Sequence, residues 1–247
     1  MAVIDHPCVT SRDGTAIGYR QEGSGPAVLL LHGIQRTGQV WAGAAAHLAA
    51  RHTVLRPDLR GRGLSGAPVR PEDYQLERLA DDLEAVVLAA AQPLDIVAWS
   101  MGVSVALAFT RRPAAQCVRR WVLVSGSPSS AGTAGWFRGP SLAEAEQEAI
   151  ARAQAKGMQD TASPFAVAAA WLGAKPYDFL EDLPPLSGPL LIIHGDADPE
   201  CPLEAAAALA RRIPGARLKV LAGVGHNPMQ DAPATVYKLL DEFLAPA

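Results

Sequence analysis

An α/β fold, with a mostly parallel sheet covered by helices on both faces, is what this sequence predicts. Short, predominantly apolar runs recur at 27–31, 53–55, 94–98, 121–124, 190–193 and 218–221, as expected of strands buried on both faces. Helical patterns lie between the runs. Leu76, Leu79, Leu83, Val86, Val87 and Ala90 form one apolar stripe at i+3/i+4 spacing, and Val236, Leu239, Leu240 and Phe243 form another. A chain of 247 residues, 49% hydrophobic and 19% charged, supplies the core such a fold needs.

The chain opens as a hairpin: 8–12 and 15–21 flank Asp13-Gly14, a turn dipeptide. Strand–helix alternation then continues and breaks once, across 129–187. That stretch begins Gly/Ser-rich and then carries only helical signals. Ser141-Leu142-Ala143-Glu144 reads as a capping box, with Gly157 as a stop. Ser163-Pro164 reads as an N-cap and first helical residue, with Gly173 as the second stop. The expected organisation is a core of 1–128 and 188–247 with a helical lid of 129–187. Six of the 14 aromatic residues fall in the lid: Trp136, Phe137, Phe165, Trp171, Tyr177 and Phe179.

Charge and cysteine content exclude several functions. With 22 Lys and Arg against 25 Asp and Glu, the chain lacks the basic excess of a nucleic-acid binder. No apolar run reaches the length of a membrane span. Cys8, Cys117 and Cys201 are far apart and odd in number, which offers neither a disulfide framework nor a metal-binding pair. The N-terminus lacks a basic and then apolar leader, so the expectation is a cytoplasmic protein.

Four features carry chemistry. Ala98-Trp99-Ser100-Met101-Gly102 places a serine on a strand-to-helix turn, where a sharp bend projects Oγ and the helix N-terminus favours negative charge. Leu31-His32-Gly33-Ile34 ends the first long apolar strand; a main-chain amide there, with that of Met101, is suited to hold a developing oxyanion. Gly195-Asp196-Ala197-Asp198 ends a late strand and offers two candidate acids. Gly223-Val224-Gly225-His226-Asn227-Pro228 is a shaped loop bearing a histidine fit to move protons near neutrality. His6, His47 and His52 read as surface or satisfied residues.

The order serine, acid, histidine, each at a strand's C-terminal end, is that of α/β-hydrolases. Together with LLLHG, RPDLRGRGLS, VAWSMG, IIHGDADPECP and GVGHNPMQDAP, it makes the chain resemble the α/β-hydrolase fold superfamily over its whole length, the lid apart. The resemblance implies Ser100 as nucleophile, His226 as base and Asp198, in preference to Asp196, as acid. It also implies Ile34 and Met101 as oxyanion donors. Ala98 replaces the family's usual glycine in the turn. Arg62 replaces a usual histidine, with no catalytic consequence expected, and Asp58, Arg60 and Arg62 read as loop structure ahead of an anion site.

Relatives that open epoxides or remove halogens carry aspartate at the turn, so Ser100 points to acyl transfer. A serine hydrolase of small, mostly apolar carboxylic esters or lactones is expected, with no cofactor and no metal. Trp99, Trp136, Phe137, Phe165 and Trp171 are the candidate substrate pocket. Alternatives on the same triad are C–C bond hydrolysis or cofactor-free peroxidation; a third is a ligand receptor without catalysis. The lid's seven acids against four bases argue against an acidic carrier protein as partner.

Overall fold

A computed structural model describes residues 6–129, 137–183 and 186–245. Eight strands form one sheet: β1 (Cys8–Thr10), β2 (Ala16–Glu22), β3 (Ala27–Leu31), β4 (Thr53–Pro57), β5 (Leu94–Trp99), β6 (Val118–Val124), β7 (Leu190–Gly195) and β8 (Arg217–Leu221), in spatial order β1-β2-β4-β3-β5-β6-β7-β8. The two N-terminal strands run antiparallel, and from β4 onward every pairing is parallel. Asp13-Gly14 turns the opening hairpin as expected; Gly14 has φ +90° and Thr15 N donates to the Asp13 carboxylate at 3.1 Å.

Each wholly apolar run is buried on both faces because helices cover both. On one side α2 (Leu76–Ala89) and α3 (Met101–Phe109) pack with Leu29, Leu31, Ile96 and Leu123. On the other, α1 (Ala42–Leu48) and α8 (Pro233–Leu244) pack with Val28, Leu30, Val97 and Val122. Alternate residues of β3 and β5 thus serve different cores, which is why their sequences show no polar face.

Between β6 and β7 lie α4 (Leu142–Ala155) and α5 (Pro164–Ala174). The Ser141/Glu144 capping box forms, and Ser163 caps α5 with Pro164 at its first position. Gly157 has φ +56° beyond α4, as a stop should. Gly173 is different: it lies inside α5. A Cβ there would come within 2.9 Å of Gln75 Cα, so this glycine permits close helix packing instead of ending the helix. Two further helices, α6 (Leu203–Arg212) and α7 (Pro228–Asp231), follow the loops after β7 and β8.

Arg60, Asp58 and His32 are buried polar residues that brace the loops after β3 and β4. The Arg60 guanidinium donates to Asp82 and Asp13, the shortest contact to each being 2.6 Å, and Asp58 accepts the Leu64 amide at 2.9 Å. The loop reading of this segment therefore matches what the structure holds. His32, fully buried, accepts the Leu59 amide at Nε2 (3.1 Å), which leaves Nδ1–H to donate to Gly33 O at 2.7 Å. Burial pulls its pKa down to about 4, against the opposing pull of Asp58. Between that value and the ordinary ~6.5 of an unfolded histidine, the unfolded chain holds a proton that the folded chain does not. Stability should consequently fall as pH drops from about 6.5 to about 4, by ~3 kcal/mol from this residue. Urea unfolding across that window checks it, and His32→Gln should flatten the slope.

Candidate active site

Ser100 stands between the end of β5 and the start of α3 with φ +56° and ψ −125°. This is a left-handed conformation that costs a non-glycine residue free energy. The surroundings hold it there: Ser100 N donates to Val124 O at 3.0 Å, and Val103 N donates to Ser100 O at 2.9 Å. Close approach explains the small residues nearby. A Cβ on Gly102 would meet His32 O at 2.8 Å, and one on Gly33 would meet Ser100 Cβ at 3.0 Å. Ala98 is fully buried within β5 and pairs with Leu31 and Leu123, so its methyl group fits where a glycine is usual.

His226 reaches Ser100 from the loop after β8. Its Nε2 lies 2.9 Å from Ser100 Oγ, and its Nδ1 lies 2.9 and 3.1 Å from the two Asp198 oxygens. With Nδ1–H donating to the carboxylate, Nε2 is left as acceptor for the serine hydroxyl. Burial would raise the Asp198 carboxyl, but the hydrogen bond and charge of His226 and the amides of Cys201 and Glu200 outweigh it. They hold the group below the ordinary carboxylate range. Asp196 is engaged elsewhere, accepting the Gly223 amide at 2.7 Å. The structure thus brings Asp198, not Asp196, to His226.

The Ile34 amide makes no hydrogen bond among the described residues, and the Met101 amide opens α3 without a carbonyl one turn back. Both residues line a cavity together with Ser100. Arg62 bears on this loop. Fully buried, it donates to Ile34 O at 3.0 Å and to Arg60 O at 2.7 Å, and burial lowers its pKa to about 10. Arg62 is therefore a structural brace for the loop that carries Ile34.

The cavity beside Ser100 has a volume of about 50 Å³, walled by Ile34, Met101, Trp171, Tyr177 and Phe179 with the serine edge Ser104, Ser127 and Ser129. Of the four described aromatic pocket candidates, Trp171 lines this cavity, and Trp99 lines a smaller gap bounded by Ser100 and His226. Trp99 also braces the histidine: its Nε1–H donates to His226 O at 2.8 Å, and the two rings lie 5.4 Å apart. Phe137 packs edge-on against Trp171 at 5.5 Å and Phe165 against Tyr74 at 5.7 Å. Both rings are taken up by packing within and beneath the insertion, which keeps them from the cavity. Trp136 lies outside the described residues.

Sequence reasoning missed Glu200. This buried carboxylate lies 3.0 Å from His226 Nε2, accepts from Arg152 of α4 at 2.9 Å and also pairs with Lys156. Its only sequence signal is a place two residues after Asp198. Asp198 itself turns that loop by accepting the Glu200 and Cys201 amides at 2.8 and 3.0 Å. The donor atoms of Asp198, Cys201 and His226 lie within 4.8 Å of one another. Burial and the two neighbouring carboxylates push the Cys201 thiol up, however, which disfavours the thiolate a metal would need.

The alpha/beta hydrolase family model matches residues 28–239. The chain belongs to the alpha/beta hydrolase family. An uncharacterized protein of Mycobacterium tuberculosis is 28% identical over 93% of this chain and 80% of its own. A pimeloyl-[acyl-carrier protein] methyl ester esterase of Aeromonas hydrophila is 26% identical over 93% of this chain and 99% of its own. Among solved structures, an esterase from Exiguobacterium antarcticum superposes with a TM-score of 0.86 at 21% identity, covering 98% of this chain and 100% of that one. No described helix is long and apolar enough to cross a membrane.

Proposed function

We propose that this hydrolase cleaves small carboxylic esters or lactones through an acyl-enzyme on Ser100. The observation that carries the reading is the unbroken hydrogen-bond chain Ser100–His226–Asp198 at the mouth of an apolar cavity. The A. hydrophila relative, named an ester hydrolase over nearly the same length, supports it.

In this cycle Ser100 Oγ attacks the carbonyl carbon while His226 Nε2 takes the hydroxyl proton. Asp198, ionised at neutral pH, stabilises the imidazolium and keeps Nδ1 protonated. The amides of Ile34 and Met101 receive the oxyanion. His226 then returns the proton to the leaving oxygen, and a water activated by the same nitrogen releases the acid. The 129–187 insertion acts as a lid over the 1–128 and 188–247 core.

Cavity size narrows the acyl group. One water needs about 10–15 Å³ by this measure, so ~50 Å³ holds about four heavy atoms. Acetyl to butyryl esters should therefore turn over best, with kcat/KM falling at least about tenfold by octanoyl, since overpacking is costly. A series of p-nitrophenyl esters of graded acyl length, with γ-lactones and a vinylogous diketone beside it, checks this. No turnover of any ester or lactone sinks the proposal, and cleavage of the diketone alone transfers it to C–C hydrolysis. The acyl donor is a free ester, because seven acids against four bases in the lid repel an acidic carrier.

A further inference from the structure

A second space is walled by His226, which does not line the acyl cavity. It is a cleft of about 540 Å³ whose walls include Arg36, Arg152, Lys156, Glu200, His226 and Asp231. A narrow gap of about 20 Å³, bounded by Arg36, Ser100 and His226, joins the cleft to the nucleophile. The sides of the site are not equivalent in chemistry. His226 must protonate the leaving oxygen, so the alcohol half of an ester lies on the histidine's side and the acyl half in the apolar cavity.

The charges in this cleft are mostly committed. Arg152 and Lys156 both pair with Glu200, and Arg152 also donates to Gln35 Oε1 at 2.6 Å. Asp231 accepts the Gly225 amide at 3.2 Å. Asp160, the carboxylate that acts most on Arg36 from α4's side, is hydrogen-bonded to the Thr37 hydroxyl. Arg36 differs. Half-buried, its guanidinium makes no hydrogen bond or ion pair among the described residues. Burial and the nearby Arg152 pull its pKa down while Asp160 pulls the other way. A planar five-donor group left partly desolvated and unpaired gains most from a bidentate anion. Its main chain is tied to the loop bearing Ile34, with Arg36 N donating to Gly33 O at 3.3 Å.

From this placement we infer that Arg36 forms an anion subsite for the leaving group, so that the favoured substrates are short-acyl esters of alcohols or phenols carrying a carboxylate or phosphate. The inference rests on the ester-hydrolase reading above. Carboxylate and phosphate offer Arg36 the same oxygen pair, and substrates of each kind separate them.

The test compares kcat/KM for 4-acetoxybenzoate and 4-acetoxyphenyl phosphate with that for neutral 4-acetoxybenzamide. The anion-to-neutral ratio should exceed about ten in the wild type and fall about tenfold or more in Arg36→Gln. Arg36→Lys, which keeps the charge but loses the two-pronged fork, should retain only part of it. Equal ratios in wild type and Arg36→Gln, with matching melting curves, overturn the inference. Calorimetric titration of 4-hydroxybenzoate and phenyl phosphate into Ser100→Ala protein, with and without Arg36→Gln, reads the cleft without any turnover. Anion binding that depends on Arg36 in a protein that cleaves no ester would keep the subsite and sink the ester reading. Neutral-ester turnover with no Arg36-dependent binding would do the reverse.

Discussion

Ser100→Ala should cost about 10⁴- to 10⁶-fold in kcat on p-nitrophenyl acetate, the scale on which a nucleophile's removal disables a catalytic triad. The alanine inherits the same left-handed backbone and the same neighbours at Gly33 and Val124, so the fold should change little. Loss of rate with an unaltered melting curve is thus the expected pairing. Wild type should also release a burst of p-nitrophenolate stoichiometric with enzyme if deacylation is the slower step, and the variant none. A phosphonofluoridate should add to the peptide containing Ser100 and leave the variant unmodified. Ester turnover above about 1% of wild type in Ser100→Ala would assign the nucleophile elsewhere.

Much of the scaffold was legible because its signal is one-dimensional. A strand buried on both faces must be apolar throughout, and β3 shows this in five consecutive residues, all fully buried. Capping boxes are equally local: Ser141 and Glu144 answer each other across three positions. The meeting of Ser100, Asp198 and His226 was legible for a related reason. In a parallel sheet the C-terminal strand ends converge on one rim, so Ser100, Asp198 and His226 meet although 126 residues separate the outer two.

The pocket was less legible, and the reasons are physical. An aromatic residue in an inserted helix has two sides to bury against, and sequence does not say which. Trp171 turns to the cavity, while Phe165 of the same helix seats on Tyr74 below it. Trp99 neighbours the nucleophile in sequence, but strand alternation sends its ring to the opposite side of the sheet, under His226. Gly173 misled because a glycine near a helix end serves turning and close packing equally well; here the nearest atom decides for packing. The serine edge at 127–129 had an available signal. It follows β6, whose C-terminal end sits on the same rim, and the rule that located Ser100, Asp198 and His226 applies there too.

The second large effect concerns the acid. Asp198→Asn should lower kcat by about 10⁴-fold, whereas Asp196→Asn should stay within about fivefold of wild type. The two substitutions are matched in size, and each keeps an oxygen able to accept the amide hydrogen bonds its aspartate now receives: Gly223 for Asp196, Glu200 and Cys201 for Asp198. Loop structure is therefore held nearly constant, and the comparison isolates charge at His226. At Asp198 the loss has two parts. An amide carries no charge to stabilise the imidazolium formed when Ser100 gives up its proton. An amide also has donors, so it can turn its NH₂ toward Nδ1 and favour the tautomer with the proton on Nε2, which cannot accept from Ser100. Glu200 adds to this second effect, because its carboxylate 3.0 Å from Nε2 accepts that misplaced proton and holds the unproductive tautomer. Removing both carboxylates tests the coupling: Asp198→Asn/Glu200→Gln should recover part of the rate lost by Asp198→Asn alone. Steady-state rates for the three variants at one pH suffice, and a large loss in Asp196→Asn with little in Asp198→Asn would reverse the assignment.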